Sequence, residues 1–285
     1  MRVIGTEGLR TKELFAFMRE RYAIFLKKEA GEPKPWTADP ILQRFRFCNI
    51  YREDDKVTRW IRVNWREPHT DDPDLWFAMV VARHLNLPAS LEELGYPVPW
   101  DGARFVELMT ARKARNERNF SAAYMIGTNG NPVEKAIFLE DRIFTPLWQA
   151  RDTLRPRAGD TLTAYHMMLG QIYGLASFLT AQVIADTKFH GVLRQAPDWW
   201  DFAASGPGSR RGLNRVIGRD KDAGWREDDW RLTLARLRGA VEPLVLDAGM
   251  PPLSAQDLQN SLCEFDKYER ARLGEGRPKQ LYAGV

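Results

Sequence analysis

Helix-start signals punctuate this chain at five places, and almost nothing in it alternates as a half-buried strand must. Asp39-Pro40 and Asp72-Pro73 each set a capping carboxylate before a proline at the first helical position, where a missing N–H costs nothing. Ser90 with Glu93, Asn131 with Glu134 and Ser254 with Asp257 have capping-box spacing, in which each side chain satisfies the other end's free backbone donor; Asn131 is an unusual first member. Apolar residues recur at helical spacing in Phe15, Met18, Tyr22 and Phe25, in Trp230, Leu234, Leu237, Val241 and Leu244, and in Leu258, Leu262 and Phe265. Residues 123–130 read as a strand entering a turn, although the Asn131-Pro132 that follows favours turn-then-helix. The expected fold is mainly α: a compact helical body, with a bilobed form and one short hairpin as its variants.

A chain of 285 residues with ten Trp, fourteen Phe and eight Tyr can bury a large core, which excludes a disordered polymer. Residues 1–285 read as a single helical domain. The proline-rich stretch at 95–100 and the loop at 155–159 are too short for flexible linkers, and a lobe boundary, if there is one, falls near 155–160. A formal charge of +4 permits nucleic-acid binding without announcing it. Cys48 and Cys263 stand alone, and His69, His84, His166 and His190 lack ligand spacing, so no structural metal site is expected. The N-terminus has no signal-peptide core, and the apolar run at 172–185 is too short and too polar to span a bilayer. A soluble, cytoplasmic protein with no membrane partner is the expectation.

Four segments could carry chemistry. The first runs from Trp36 and Asp39 through Asn49, Tyr51, Arg52, Glu53 and Asp55 to Arg59-Trp60. Its bland reading is a solvated face with local ion pairs. Its sharper reading is a polar cleft, with Arg52 and Arg59 on phosphate and Asp55 or Glu53 as an acid–base group. The second is Gly206-Pro207-Gly208-Ser209-Arg210-Arg211-Gly212, either a helix connection or a turn whose freed N–H groups and arginines bind an anion. It lacks the Lys-Ser/Thr ending of a nucleotide P-loop. In the third, Gln182 and Asp186 share a helical face, as a satisfied core pair or as contacts to a base edge or an attacking amine. The turn and helix from Gly174 onward loosely resemble those of helix-hairpin-helix DNA glycosylases. The fourth is the run from Leu262 to Lys279, by default a frayed tail, whose Phe265 and Tyr268 suggest docking on the body.

Taken in order, Pro-Trp-Thr-x-Asp-Pro (35–40), Arg-Phe-x-Asn-x-Tyr-Arg-Glu-x-Asp (46–55) with Arg59-Trp60, Thr128-Asn129-Gly130 to Lys135, Gly-Pro-Gly-Ser-x-Arg-Gly (206–212) and Leu-Cys-Glu-Phe-x-Lys-Tyr (262–268) resemble the α-glutamyl/putrescinyl thymine pyrophosphorylases. These amino-acid:DNA transferases are related to the helical domain of 5-hydroxymethyl-deoxyuridine DNA kinases. The resemblance covers about Tyr22 to Tyr282. With no kinase P-loop in the chain, it indicates the standalone transferase form, distantly akin to DNA glycosylases.

The resemblance implies a phage-type enzyme of thymine hypermodification. Pyrophosphate on the 5-methylene carbon of a uracil in double-stranded DNA is replaced by the amine of an amino acid or polyamine. The base leaves the stack for the reaction. No tightly bound cofactor is implied, and magnesium is an optional helper. Arg210, Arg211 and Lys135 are then expected on pyrophosphate or backbone phosphate, Asp39, Asp55 or Glu264 as the base, and Trp36, Tyr51 or Tyr268 around the pyrimidine. Asn49, Thr128, Asn129 and Lys267 join the site as motif members, with Gly206, Gly208 and Ser209. Two rivals are a base-excision glycosylase and a non-catalytic reader of modified DNA.

Overall fold

Asp39 and Ser254 start helices as their sequences require. Asp39 Oδ1 accepts from the amides of Ile41 (2.7 Å) and Leu42 (3.0 Å). Ser254 and Asp257 close a reciprocal capping box. The other three signals are displaced. Asp72 receives the Asp74 amide in a turn, and the helix begins at Leu75. Pro88 takes the first helical position ahead of Ser90, whose hydroxyl donates to the Arg118 carbonyl. Asn131 closes a turn with Thr128, and the next helix waits until Lys135.

The computed structural model describes residues 10–122, 127–128 and 130–282. Most of the strand-or-turn segment at 123–130, Asn129 included, lies outside them. The helices are α1 (Thr11–Glu29), α2 (Pro40–Arg44), α3 (Lys56–Ile61), α4 (Leu75–Leu85), α5 (Pro88–Leu94), α6 (Gly102–Ala114), α7 (Lys135–Leu139), α8 (Thr145–Gln149), α9 (Arg151–Leu154), α10 (Leu162–Leu169), α11 (Ser177–Thr187), α12 (Pro207–Val216), α13 (Glu227–Asp247) and α14 (Ala255–Arg272). The fold is all-α. Among the described residues the one β-type pairing is an isolated bridge between Phe45 and Leu281.

The chain divides into two compact units, residues 1–55 with 200–285 and residues 56–199. The loop at 155–160 falls inside the second. In the first unit α14 packs against α12, α13, α1 and α2. Leu258, Leu262 and Phe265 of α14 are buried with Trp230, Leu234, Leu237 and Val241 of α13, as their spacing requires. The α1 stripe differs from expectation. Its buried residues are Leu14, Phe17, Met18, Arg21 and Ile24, while Phe15, Tyr22 and Phe25 stay partly exposed.

In the second unit every residue of α4 is buried, Arg83 and His84 included. A helix apolar on all sides belongs at the centre of its unit. Around Phe77 stand Trp76, Trp100, Phe144 and Trp148, with ring centroids 5.2–6.5 Å away. α11 packs on α4.

Candidate functional site

Three of the four segments meet within the first unit. From α1, buried Arg21 donates through Nη2 to the Phe47 carbonyl (3.1 Å) and to Asn49 Oδ1 (2.5 Å), fixing the loop that follows α2. Asn49 in turn donates Nδ2 to the Asp54 carbonyl (2.7 Å) and its amide to Asp55 Oδ1 (2.9 Å). The same loop is tied to α14. Glu264 Oε2 receives the Cys48 amide (3.1 Å), Asn260 donates to the Asn49 carbonyl (3.0 Å), and Asp257 receives the Arg52 amide (3.1 Å). Lys267 pairs with Glu264 Oε1 at 2.5 Å.

The three carboxylates proposed as a base are now distinguishable. Asp39 spends Oδ1 on the α2 cap and accepts the Tyr268 hydroxyl on Oδ2 at 2.6 Å. Glu264 is buried, with one oxygen on the Cys48 amide and the other on Lys267. Asp55 takes its hydrogen bond on Oδ1 and has Oδ2 without a partner among the described residues. Desolvation pushes its pKa up to about 6, against the Asn49 amide and the Arg52 charge, which favour ionisation. Cys48 is exposed, yet surrounding protein pushes its thiol well above the ordinary range, with Glu264 adding to the effect. Arg21, Cys48, Asn49, Asp55 and Glu264 together make the candidate site of the first unit. Lys267 ends above the usual lysine range because Glu264 outweighs the burial that opposes its charge.

Arg21 is the residue that sequence reasoning missed. Its Nη1 is buried with no hydrogen-bond partner among the described residues, a costly state that an acceptor oxygen would relieve. The signal was its position in register with Leu14, Phe17 and Ile24, an arginine on an apolar stripe.

The glycine-arginine segment forms the start of α12 rather than an irregular turn. Gly206 precedes α12, and the Ser209 hydroxyl accepts the Gly206 amide at 2.9 Å. Its glycines serve close packing. A Cβ on Gly212 would stand 2.1 Å from the Leu262 carbonyl oxygen, and one on Gly208 3.2 Å from Cys263 Sγ. The arginines are matched by carboxylates: Arg210 by Glu227 (3.2 Å), Arg211 by Asp266 (2.9 Å), and Arg215 by Asp266 and Glu275. Gly212→Ala is therefore expected to destabilise the protein by about 3 kcal/mol, the backbone clash overriding the helix-propensity gain. Gly239→Ala on α13, where a Cβ meets nothing within 4 Å, should stabilise it by about 1 kcal/mol. Urea denaturation of the two variants checks the contrast; equal effects would dismiss the close-packing role.

The aromatic candidates have separate partners. Trp36 lies against Tyr282, Tyr51 against Tyr22, and Tyr268 against Phe17 and Phe47. The Tyr51 hydroxyl donates to the Pro251 carbonyl at 2.6 Å.

Arg59, Thr128, Lys135, Gln182 and Asp186 belong to the second unit. Thr128 closes the turn with Asn131, and the Lys135 ammonium lies 4.0 Å from the Phe120 ring centre, held below the usual lysine range by desolvation. Asp186 is fully buried and ion-paired to Arg83, a core pair, while Gln182 on the same helix is half-buried. Among the described residues no three His, Cys, Asp or Glu gather closely enough to hold a metal ion, and no helix is long and apolar enough to cross a membrane.

Residues 9–277 match the family described as 5-hmdU DNA kinase, helical domain. The chain belongs to that family. The 5-hmdU DNA kinase of Bacillus phage SP10 is similar at 24% identity over 89% of this chain and 44% of its own length. The chain thus spans under half of the relative it matches. No solved structure matches it. The helical-domain match extends through both units, so the candidate site and the second unit's buried network fall within one family domain.

Proposed function

We propose that this helical-domain protein modifies thymine-derived bases in phage DNA, replacing pyrophosphate on 5-hydroxymethyluracil with an amine, and that the first unit's candidate site around Asp55 carries the reaction. Kinship with a protein named as a 5-hmdU DNA kinase supports modified DNA as the substrate class. The observation that carries the assignment of the site is Asp55, a desolvated carboxylate with an unengaged oxygen beside Cys48, Asn49 and Arg21.

In the reaction the bond from the 5-methylene carbon to the pyrophosphate oxygen breaks, and its electron pair leaves with pyrophosphate. The amine lone pair forms the new carbon–nitrogen bond. The proton lost from that nitrogen passes to Asp55, whose pKa near 6 leaves it largely ionised at neutral pH yet basic enough to accept it. The partnerless Nη1 of Arg21 is suited to an oxygen of the substrate, stabilising charge in a poorly hydrated place. Asn49 holds Asp55 in position through its amide. Arg211 stays a weaker candidate for the leaving group, since Asp266 already meets its charge.

The test is incubation with DNA bearing pyrophosphorylated 5-hydroxymethyluracil and a panel of amino acids and polyamines, followed by nucleoside mass spectrometry. The expected result is a heavier base in an intact strand, with pyrophosphate released. Free base and an abasic site would identify a glycosylase. Binding without release would identify a reader of modified DNA.

A further inference from the structure

Asp266 and Glu269 stand three residues apart on α14, so they share a face, and both are buried. Each is shared among arginines from different elements of the first unit. Asp266 accepts from Arg211 Nε and Arg215 Nε of α12, at 2.9 Å each, and has Arg270 Nε of its own helix at 3.5 Å. Glu269 accepts from Arg10, just ahead of α1, at 2.8 Å, and from Arg272 through Nε (2.7 Å) and Nη2 (2.9 Å). Five guanidinium groups thus lean on two buried carboxylates.

One guanidinium on each carboxylate would balance its charge. The other acids that pair with this layer are Glu275, on Arg215, and Glu13, on Arg10 at 3.5 Å. Asp222, which also feels Arg211, is itself paired with Lys221. Donors remain over. Arg211 engages Asp266 through Nε alone, so its Nη1 and Nη2 have no partner among the described residues, and its side chain is partly exposed. Arg270 is also partly exposed, and its Nε is buried without a hydrogen-bond partner among the described residues. A guanidinium gripped from below at Nε presents its other edge as a fixed fork, the geometry that two phosphate oxygens accept. Holding the fork in place beforehand lowers the ordering cost of that contact. Because each buried acid serves more than one arginine, the arrangement orders a row of such forks across α12, α14 and the start of α1.

We propose that the arginine layer of Arg10, Arg211, Arg270 and Arg272 over Asp266 and Glu269 is the docking surface for the sugar-phosphate backbone of duplex DNA. The identity of the partner rests on the modification reading above. Arg211 then grips a backbone phosphate rather than the leaving group. Binding of a labelled unmodified duplex is followed by fluorescence anisotropy across a salt series. The proteins are wild type, R270Q/R272Q, R270K/R272K and the control pair R157Q/R236Q, which makes the same charge change at exposed positions outside the layer.

Loss of two phosphate contacts in R270Q/R272Q should flatten the slope of log affinity against log salt by about 1.8 and weaken binding roughly ten- to a hundredfold at about 0.1 M salt. The lysine pair should keep most of the slope and still lose affinity several-fold, since an ammonium cannot fork. The control pair should change neither quantity by half as much. Asp266 retains Arg211 and Arg215 in these variants and Glu269 retains Arg10, so the proteins should stay folded, which circular dichroism checks. Wild type that binds duplex while the two glutamine pairs behave alike overturns the docking surface and leaves the modification reading standing. Wild type without duplex affinity at any salt also overturns it, and base conversion by mass spectrometry then decides the modification reading separately. A glutamine pair that loses duplex affinity where wild type converts no base keeps the surface and removes that reading. Polyglutamate that displaces the duplex at equal charge concentration overturns backbone recognition in favour of an acidic protein.

Discussion

Asp186→Ala is expected to lower the unfolding free energy by about 3–5 kcal/mol, with the loss seated in the second unit. The carboxylate is fully buried and receives Arg83 through both Nε and Nη2, the latter at 2.7 Å, while Arg66 stands 3.8 Å away. Arg83 is anchored further by Thr58 (3.0 Å) and Asn86 (3.1 Å). Truncation therefore strands the buried Arg83 guanidinium, which cannot rotate into water, and an unpaired buried charge costs more than the pair itself contributes. Replacing both partners with apolar residues of similar volume, Arg83→Met with Asp186→Leu, should restore most of the lost stability. Chemical denaturation followed by tryptophan fluorescence measures both. Were Asp186 a reader of a base edge, Asp186→Asn would leave stability within about 1 kcal/mol and weaken affinity for modified DNA. A stability loss with that affinity intact settles the residue as core.

What the sequence could and could not disclose follows from the range of the forces involved. The Asp39 and Ser254 caps are made within three residues and were legible. Ser90 failed as a cap because Pro88, two positions earlier, already fits the first turn, and Asn131 failed because Thr128 offered it a turn. On α1, Leu14, Phe15, Phe17 and Met18 offer two overlapping stripes, and only packing against α13 and α14 selects the one containing Arg21. An arginine is scored as polar by any periodicity argument, so the buried stripe looked interrupted where it is continuous. The division into units was illegible for a related reason: residues 1–55 find their partners after 200, across a separation no local pattern encodes.

The site was half legible. Motif resemblance picked out the Trp36–Asp55 loop and the α14 run, and the structure ties those together through Cys48, Asn49 and Glu264. The glycine-arginine motif joins the same unit in another role. Glycine permits a tight turn and equally permits two helices to touch, and only the Leu262 carbonyl beside Gly212 tells the cases apart.

Asp55→Asn is expected to cut turnover by about 10²–10⁴-fold while leaving duplex affinity nearly unchanged, if Asp55 accepts the proton of the incoming amine. The amide is close to isosteric and its oxygen can still receive the Asn49 amide, so the loop should hold its shape. The wild-type rate should rise tenfold per pH unit below about pH 6 and level off above it, since the base must be ionised to work. Stability runs the other way. The folded-state pKa lies above the ordinary aspartate value of 3.8, so the native protein binds the proton more tightly than the unfolded chain. Stability is then lost as the pH rises from about 4 to about 6, where burial of the ionised form takes effect. Asp55→Asn removes that cost and should stabilise the protein at pH 7 by up to about 3 kcal/mol. A variant both slower and more stable is the mark of a carboxylate kept desolvated for chemistry. A variant that loses stability and turnover together would reassign Asp55 to holding the loop.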